Sequence, residues 1–213
     1  MTLQSEESRN PSRQLSIDGT RGAAESRYRD EFSSVFDLVL TEDRAVLERV
    51  DRLELARLSA ALFSSKRIFM AGEGRSGLVV RMAAMRLMHL GCTIYVTGET
   101  ITPAFSADDL LIVVSGSGST GGVTLLAERA AAAGGRVAAV TTSPDSPLAS
   151  AAHLTLIVPA ASKHDRSGAL SAQFAGSLFE QSTLLVFDAL FHLWSQDMHA
   201  TAADLWSRHT NLE

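Results

Sequence analysis

Hydroxyl side chains alternate with glycines in Ser115-Gly116-Ser117-Gly118-Ser119-Thr120, immediately after the apolar run Leu110–Val114. That combination suits the oxyanions of a phosphate ester. Glycines let backbone N–H groups turn toward a ligand, the hydroxyls donate further hydrogen bonds, and a helix start adds partial positive charge. Ser115, Ser117 and Thr120 are expected to bind through their hydroxyls, and Gly116, Gly118 and Ser119 through their amides. A second loop, Gly72-Glu73-Gly74-Arg75-Ser76-Gly77, follows the apolar run Arg67–Ala71. There Ser76 is placed to reach the same ligand from the neighbouring crest. Arg75 could neutralise ligand charge, although an arginine at a loop crest serves equally often as a surface ion-pair partner.

The second loop also fits the dinucleotide pattern Gly72-x-Gly74-x-x-Gly77, and Glu99 lies 22 residues beyond Gly77. Three features argue against a nicotinamide cofactor. Arg75 and Ser76 fill positions that dinucleotide turns usually give to small or apolar residues. The third strand ends in its own stronger phosphate loop. No segment remains for a separate substrate domain.

Glu180 is the acid-base candidate. It sits in an otherwise apolar helical stretch, GSLFEQSTLLVF, where burial would raise its pKa toward the working pH. A structural salt bridge or an exposed position on a wet stripe would explain it equally well from the residues alone.

These groups need rigid elements beneath them. Residues 1–24 are polar and read as a disordered tail. From Tyr28 to Phe63 apolar residues recur at helical spacing, with Thr41 able to cap a second helix, which predicts a helical hairpin over 25–65. Strands are expected at Arg67–Ala71, Thr93–Thr97, Leu110–Val114, Val137–Thr141 and Leu154–Val158, and helices at Leu78–Leu90, Gly121–Ala133, Ser171–Gln196 and 202–208. Near-continuous apolar strands alternating with helices predict a five-stranded parallel sheet over 66–160, covered on both faces. C-terminal helices over 170–213 complete one domain, 25–213.

Bulk properties narrow the function. The 213 residues carry a net charge of −5, which disfavours nucleic-acid binding. The single cysteine, Cys92, excludes an internal disulfide and reads as a small buried residue in a reducing compartment. With no long apolar run or secretory signal, the expectation is a cytoplasmic protein without a membrane span. No histidine pair has zinc-ligand spacing with further acids, so no metal is expected. The Met82, Met85 and Met88 stripe is core or subunit interface, and the apolar helices over 28–63 predict a homo-oligomer, a dimer of dimers.

The two phosphate-type loops, G-x-G-R-S and S-G-S-G-x-T, together resemble the sugar isomerase (SIS) domain. The resemblance is closer at MAAMRLMHLG (82–91), Gly98-Glu99-Thr100-Ile101-Thr102-Pro103-Ala104, Asp145-Ser146-Pro147-Leu148-Ala149, Gly176-Ser177-Leu178-Phe179-Glu180-Gln181 and Arg208-His209-Thr210-Asn211-Leu212-Glu213. Over roughly residues 35–213 these blocks look like the 6-phospho-3-hexuloisomerase family. Glu73 departs from that pattern, where a small residue such as alanine is expected. A carboxylate there should repel an anionic ligand unless it points away or pairs with an arginine.

The resemblance implies a three-layer α/β/α flavodoxin-like fold, commonly tetrameric, and a cofactor-free isomerase. It would interconvert D-arabino-hex-3-ulose 6-phosphate and D-fructose 6-phosphate through an enediolate, in the ribulose monophosphate pathway of formaldehyde fixation. The pathway neighbour would be 3-hexulose-6-phosphate synthase. Matching the family's glutamate makes Glu180 the expected base. His199 and His209, in the C-terminal segment that carries the resemblance, could polarise the carbonyl or shuttle a hydroxyl proton, in their own site or a neighbour's. The other histidines read as packing or loop residues. Two alternatives remain at this point: another aldose–ketose isomerase, acting on arabinose 5-phosphate or sedoheptulose 7-phosphate, and a non-catalytic sugar-phosphate sensor.

Overall fold

Two loops on neighbouring strand ends can share a ligand only if the strand order reverses between them, and it does. The computed structural model describes residues 11–163, 165, 168 and 170–212. Its strands are β1 (Ile68–Gly72), β2 (Ile94–Val96), β3 (Leu110–Val114), β4 (Arg136–Thr141) and β5 (Leu154–Ile157). They form one sheet in the order β2-β1-β3-β4-β5. All pairings are parallel, with Ile68 in register with both Ile94 and Leu110, and Leu110 with Arg136. In this order the connection after β2 crosses to the other side of β1, so a crevice opens between the ends of β1 and β3.

The helices are α1 (Pro11–Arg49), α2 (Arg52–Ser64), α3 (Gly74–His89), α4 (Gly121–Ala132), α5 (Pro147–Ala151), α6 (Ser177–Asp197) and α7 (Ala202–Trp206). Strand alternation divides the core between two faces. Ile68, Met70, Leu110, Ile112 and Val114 pack with Leu58 and Leu62 of α2, Val80 and Leu87 of α3, and Phe187 and Leu190 of α6. Phe69, Ala71, Leu111 and Val113 face the other way, onto Val123 and Ala127 of α4 and Leu148 of α5. The expected three-layer α/β/α sheet domain is therefore the observed one. Beneath the sheet, Asp109 accepts from the Arg67 guanidinium at 2.8 Å and 2.6 Å, tying the starts of β1 and β3 together.

Several boundaries differ from the sequence reading. The break between the first two helices falls at Val50–Asp51, not near Thr41. Asp51 is the true cap, accepting from the Leu53 and Glu54 amides at 2.7 Å and 3.0 Å, while Thr41 lies inside α1. A potential cap is used only where the chain turns, and α1 continues through Thr41. That helix begins at Pro11, within the stretch read as a tail, and residues 1–10 lie outside the described residues. The last long helix starts at Ser177 rather than Ser171. Ala175 has φ 53°, a left-handed conformation that interrupts a helix. The short helix α5 was not anticipated; Ser146 caps it and Pro147 opens it.

The chain divides into two units, Met1–Thr41 and Glu42–Glu213. The first holds the greater part of α1. Its Tyr28, Phe32, Val35, Phe36, Leu38 and Leu40 side chains are exposed, and the Phe32 and Phe36 rings stack at 5.7 Å. The second holds the sheet and everything described below. Among the described residues no helix is long and apolar enough to cross a membrane.

Candidate active site

At the carboxyl end of β1 the chain turns through Gly72 and Glu73 into α3. A Cβ on Gly77 would lie 2.7 Å from the Gly72 carbonyl oxygen, so only glycine allows the helix to start this close to its strand. At the end of β3 the chain turns at Ser115 and enters α4 with Thr120 in the capping position. The Ser115 hydroxyl reaches the Thr120 hydroxyl at 3.3 Å. Thr120 makes no side-chain cap bond. The amides of Gly121, Gly122 and Val123 are first-turn donors without intrahelical partners.

A cavity of about 330 Å³ occupies this crevice. Arg75, Ser76, Ser115, Gly116, Ser117, Thr120 and Glu180 all line it, although they come from three separate regions of the chain. Phe179, fully buried, presses its ring against Gly116, where a Cβ would lie 3.1 Å from the ring. That contact fixes the start of α6 against the β3 loop. Glu180, one residue later, thus faces the cavity with its side chain 15 % exposed and ion-paired to Arg75.

Gly118 and Ser119 are not brought to the cavity as expected. Gly118 is buried at φ 59°, and its amide is spent on the Ser115 carbonyl at 3.0 Å. A Cβ there would overlap Ser146, so glycine is required by packing against the cap of α5. Ser119 is exposed, and its amide donates to Ser117 Oγ at 3.3 Å. Both shape the turn that presents their neighbours.

His199 and His209 also lie elsewhere. His199, exposed with φ 49°, lies just past the end of α6 at Asp197, and the helix from Glu180 to that end spans roughly 26 Å along its axis. His209 stacks between Trp206 at 4.8 Å and His89 at 5.3 Å, beside the last turn of α3. The cavity touches the first turn of that helix, not the last. Burial, then the charges of His209 and Arg86, push the His89 imidazole below its ordinary pKa. These two histidines cannot meet Glu180 within one chain. Their sequence position near the C-terminus did not reveal the axial length of α6 and α3 separating them from the crevice. His164 lies outside the described residues.

The cavity includes two groups that the sequence reading did not assign to it. Lys163, exposed in the polar loop after β5, brings a second cation. A lone lysine beyond a strand's carboxyl end was the available signal. Glu73 also lines the cavity; its carboxylate neither points away nor pairs with arginine, but rests against Gly122 in the first turn of α4. Behind the wall, Glu42 accepts from Ser171 Oγ at 2.7 Å, the Ala172 amide at 2.8 Å and Gln173 Nε2 at 3.1 Å, holding the segment that leads into α6. Next to it, buried Asp43 accepts from Ser182 Oγ at 2.7 Å. Among the described residues no group of three His, Cys, Asp or Glu side chains is placed to hold a metal ion.

The crevice thus offers hydroxyls, a helix N-terminus and two cations for an anion, with one half-buried carboxylate opposite. Comparison with known proteins identifies the family. The SIS domain model matches residues 61–193. The chain is 50 % identical over 184 residues to the 3-hexulose-6-phosphate isomerase of Mycobacterium gastri, covering 86 % of this chain and 92 % of that protein. It is 38 % identical over 161 residues to the enzyme of the same name from Bacillus subtilis, covering 75 % and 87 %. Among solved structures, a hypothetical protein of Methanococcus jannaschii superposes with a TM-score of 0.73 at 30 % identity. The match covers 84 % of this chain and 99 % of that one, whose structure was described as inferring a 3-hexulose-6-phosphate isomerase function. The resemblance carried by the motifs is borne out: the chain belongs to the SIS domain family, and within it resembles proteins named as sugar-phosphate isomerases.

Proposed function

We propose that this chain interconverts D-arabino-hex-3-ulose 6-phosphate and D-fructose 6-phosphate by proton transfer through an enediolate. One observation carries the reading: the hydroxyl-lined crest of β3 and the Glu180 carboxylate open onto the same cavity. The names of the relatives support a hexulose phosphate as the substrate, and the lining of the cavity supports the following placement. The 6-phosphate sits on the first turn of α4, held by Ser115, Ser117 and Thr120, with Ser76 and Lys163 at its flank. The sugar chain then extends toward α6, bringing C2 and C3 to Glu180.

Moving the carbonyl from C3 to C2 changes no atom count. Glu180 takes the proton from C2, the electron pair forms the C2–C3 double bond, and the C3 carbonyl oxygen becomes the enediolate. The same carboxyl group then returns the proton to C3 while the hydroxyl hydrogen passes from O2 to O3. Arg75 lies against Glu180 and opposes the charge that develops on the enediolate oxygens. The reaction written this way uses only side chains of the protein and draws on no cofactor.

The proposal extends to context. A synthase that condenses formaldehyde with a pentulose phosphate supplies the substrate. Exposed apolar residues on α1, and Met82 and Met85 on α3, support a homo-oligomer. Size-exclusion chromatography tests that part, and a monomer rejects it. The activity is tested with purified protein and arabino-hex-3-ulose 6-phosphate generated in situ, coupled to detection of fructose 6-phosphate with neither metal nor nucleotide added. Fructose 6-phosphate formation above the no-enzyme rate is expected; its absence rejects the assignment.

A further inference from the structure

Glu73 is an anion in a cavity otherwise built for anions. It occupies the capping position of α3 with extended backbone, φ −117° and ψ 155°, yet its carboxylate makes no cap bond to that helix. The side chain crosses the crevice instead. Its Oε1 rests on Gly122, at the second position of α4, where a methyl group would overlap it. Thr120 gives α4 no side-chain cap, so the carboxylate occupies the positive end of a helix whose first amides lack intrahelical partners. Among the described residues no cation is paired with Glu73, and the neighbouring Arg75 is committed to Glu180.

We propose that Glu73 is an internal competitor for the phosphate position: it lies over the start of α4 and swings into solvent when an anionic ester arrives. The inference rests on reading the cavity as a sugar-phosphate site. A carboxylate and a phosphate are ill matched at one helix start, because two like charges at close range repel. Displacement is easy, since Glu73 is exposed and leaves no hydrogen bond behind. Glu73 therefore weakens phosphate binding and hastens product release, and it does so selectively for anions.

Calorimetric titration of the wild type, Glu73→Gln and Glu73→Ala with fructose 6-phosphate, inorganic phosphate and unphosphorylated fructose tests this. Both variants should bind the two anions about fivefold more tightly, from loss of one like charge at close range. Added salt should narrow the difference, and any affinity for fructose should be unchanged. Equal or weaker anion binding by both variants overturns the inference, as does an equal gain for fructose, which would mean a general change in the cavity. Tighter inorganic phosphate with no fructose 6-phosphate binding by any of the three proteins supports the competitor and rejects the sugar-phosphate reading.

Discussion

Arg75 and Glu180 meet across the crevice, guanidinium Nε donating to carboxylate Oε2, although 105 residues separate them in the chain. The carboxylate side chain is 15 % exposed and the guanidinium 60 % exposed. The candidate base is thus screened by protein while its partner reaches solvent. This pair shows where both side chains go. Arg75 is an ion-pair partner, and that partner is the candidate base.

Glu180→Gln keeps the shape of the side chain and removes the proton acceptor. It should fold and bind fructose 6-phosphate, while kcat falls by about two to four orders of magnitude, the usual contribution of a positioned base. Arg75→Ala should cost less, and the double variant should be slower than Glu180→Gln alone, because the arginine also opposes the enediolate charge directly. Steady-state kinetics of the three variants checks both statements. A kcat near wild type in Glu180→Gln ends the assignment.

Ser117→Ala and Thr120→Val remove hydroxyls from the proposed phosphate grip. The phosphate is held alike in ground and transition states, so KM should rise about tenfold with kcat changing far less. The reverse split, in which kcat drops at constant KM, would place the reacting atoms and not the phosphate at this crest.

Glu42 and Asp43 are neighbours whose acidities move in opposite directions. Burial pushes Glu42 up, but the Ala172 amide and the Ser171 and Gln173 hydrogen bonds outweigh it and hold the carboxyl below its ordinary value. Burial raises Asp43, opposed by Ser182 and reinforced by the charge of Glu42. A lowered folded-state pKa gives stability that is present above the unfolded value of about 4.3 and disappears as pH falls through the folded value. Glu42→Ala should therefore lower Tm by about 2–4 °C at pH 7, with the deficit shrinking on acidification. The raised pKa of Asp43 has the opposite sign. Its stabilising contribution is complete below about pH 3.9 and declines as pH rises through the folded value. Asp43→Asn should accordingly hold or raise Tm at pH 7 and lose that advantage in acid. Thermal melts of both variants from pH 3 to 8 decide it; parallel curves for the two would refute the opposed signs.

His209→Ala opens the stack between Trp206 and His89. The expected result is a lower Tm with kcat within about twofold of wild type, since the ring lies at the far end of α3 from the cavity. A large kcat loss with unchanged Tm would instead place His209 in a neighbouring subunit's site.

The sequence alone determined the strands, the sheet class and the crest at Ser115–Thr120. Apolar runs, glycine stops and helix periodicity are local signals, and the local chemistry of a strand ending in hydroxyls and glycines survives folding unchanged. Thr201 and Asp204 illustrate this well: a threonine and an acid three residues apart form a capping box at the start of α7. What the sequence could not decide depended on distance through space. Gly118 and Ser119 share a motif with Ser117, yet the left-handed turn at Gly118 sends their amides back into the loop. His199 follows the helix that begins beside Glu180, and that helix's rise of about 1.5 Å per residue carries the histidine out of reach. Only tertiary packing could set Phe179 on Gly116, turn Glu180 toward Arg75 and lay Glu73 over the start of α4. Those contacts join segments far apart in the chain, and the energy selecting them comes from the buried sheet faces, not from the residues that do the chemistry.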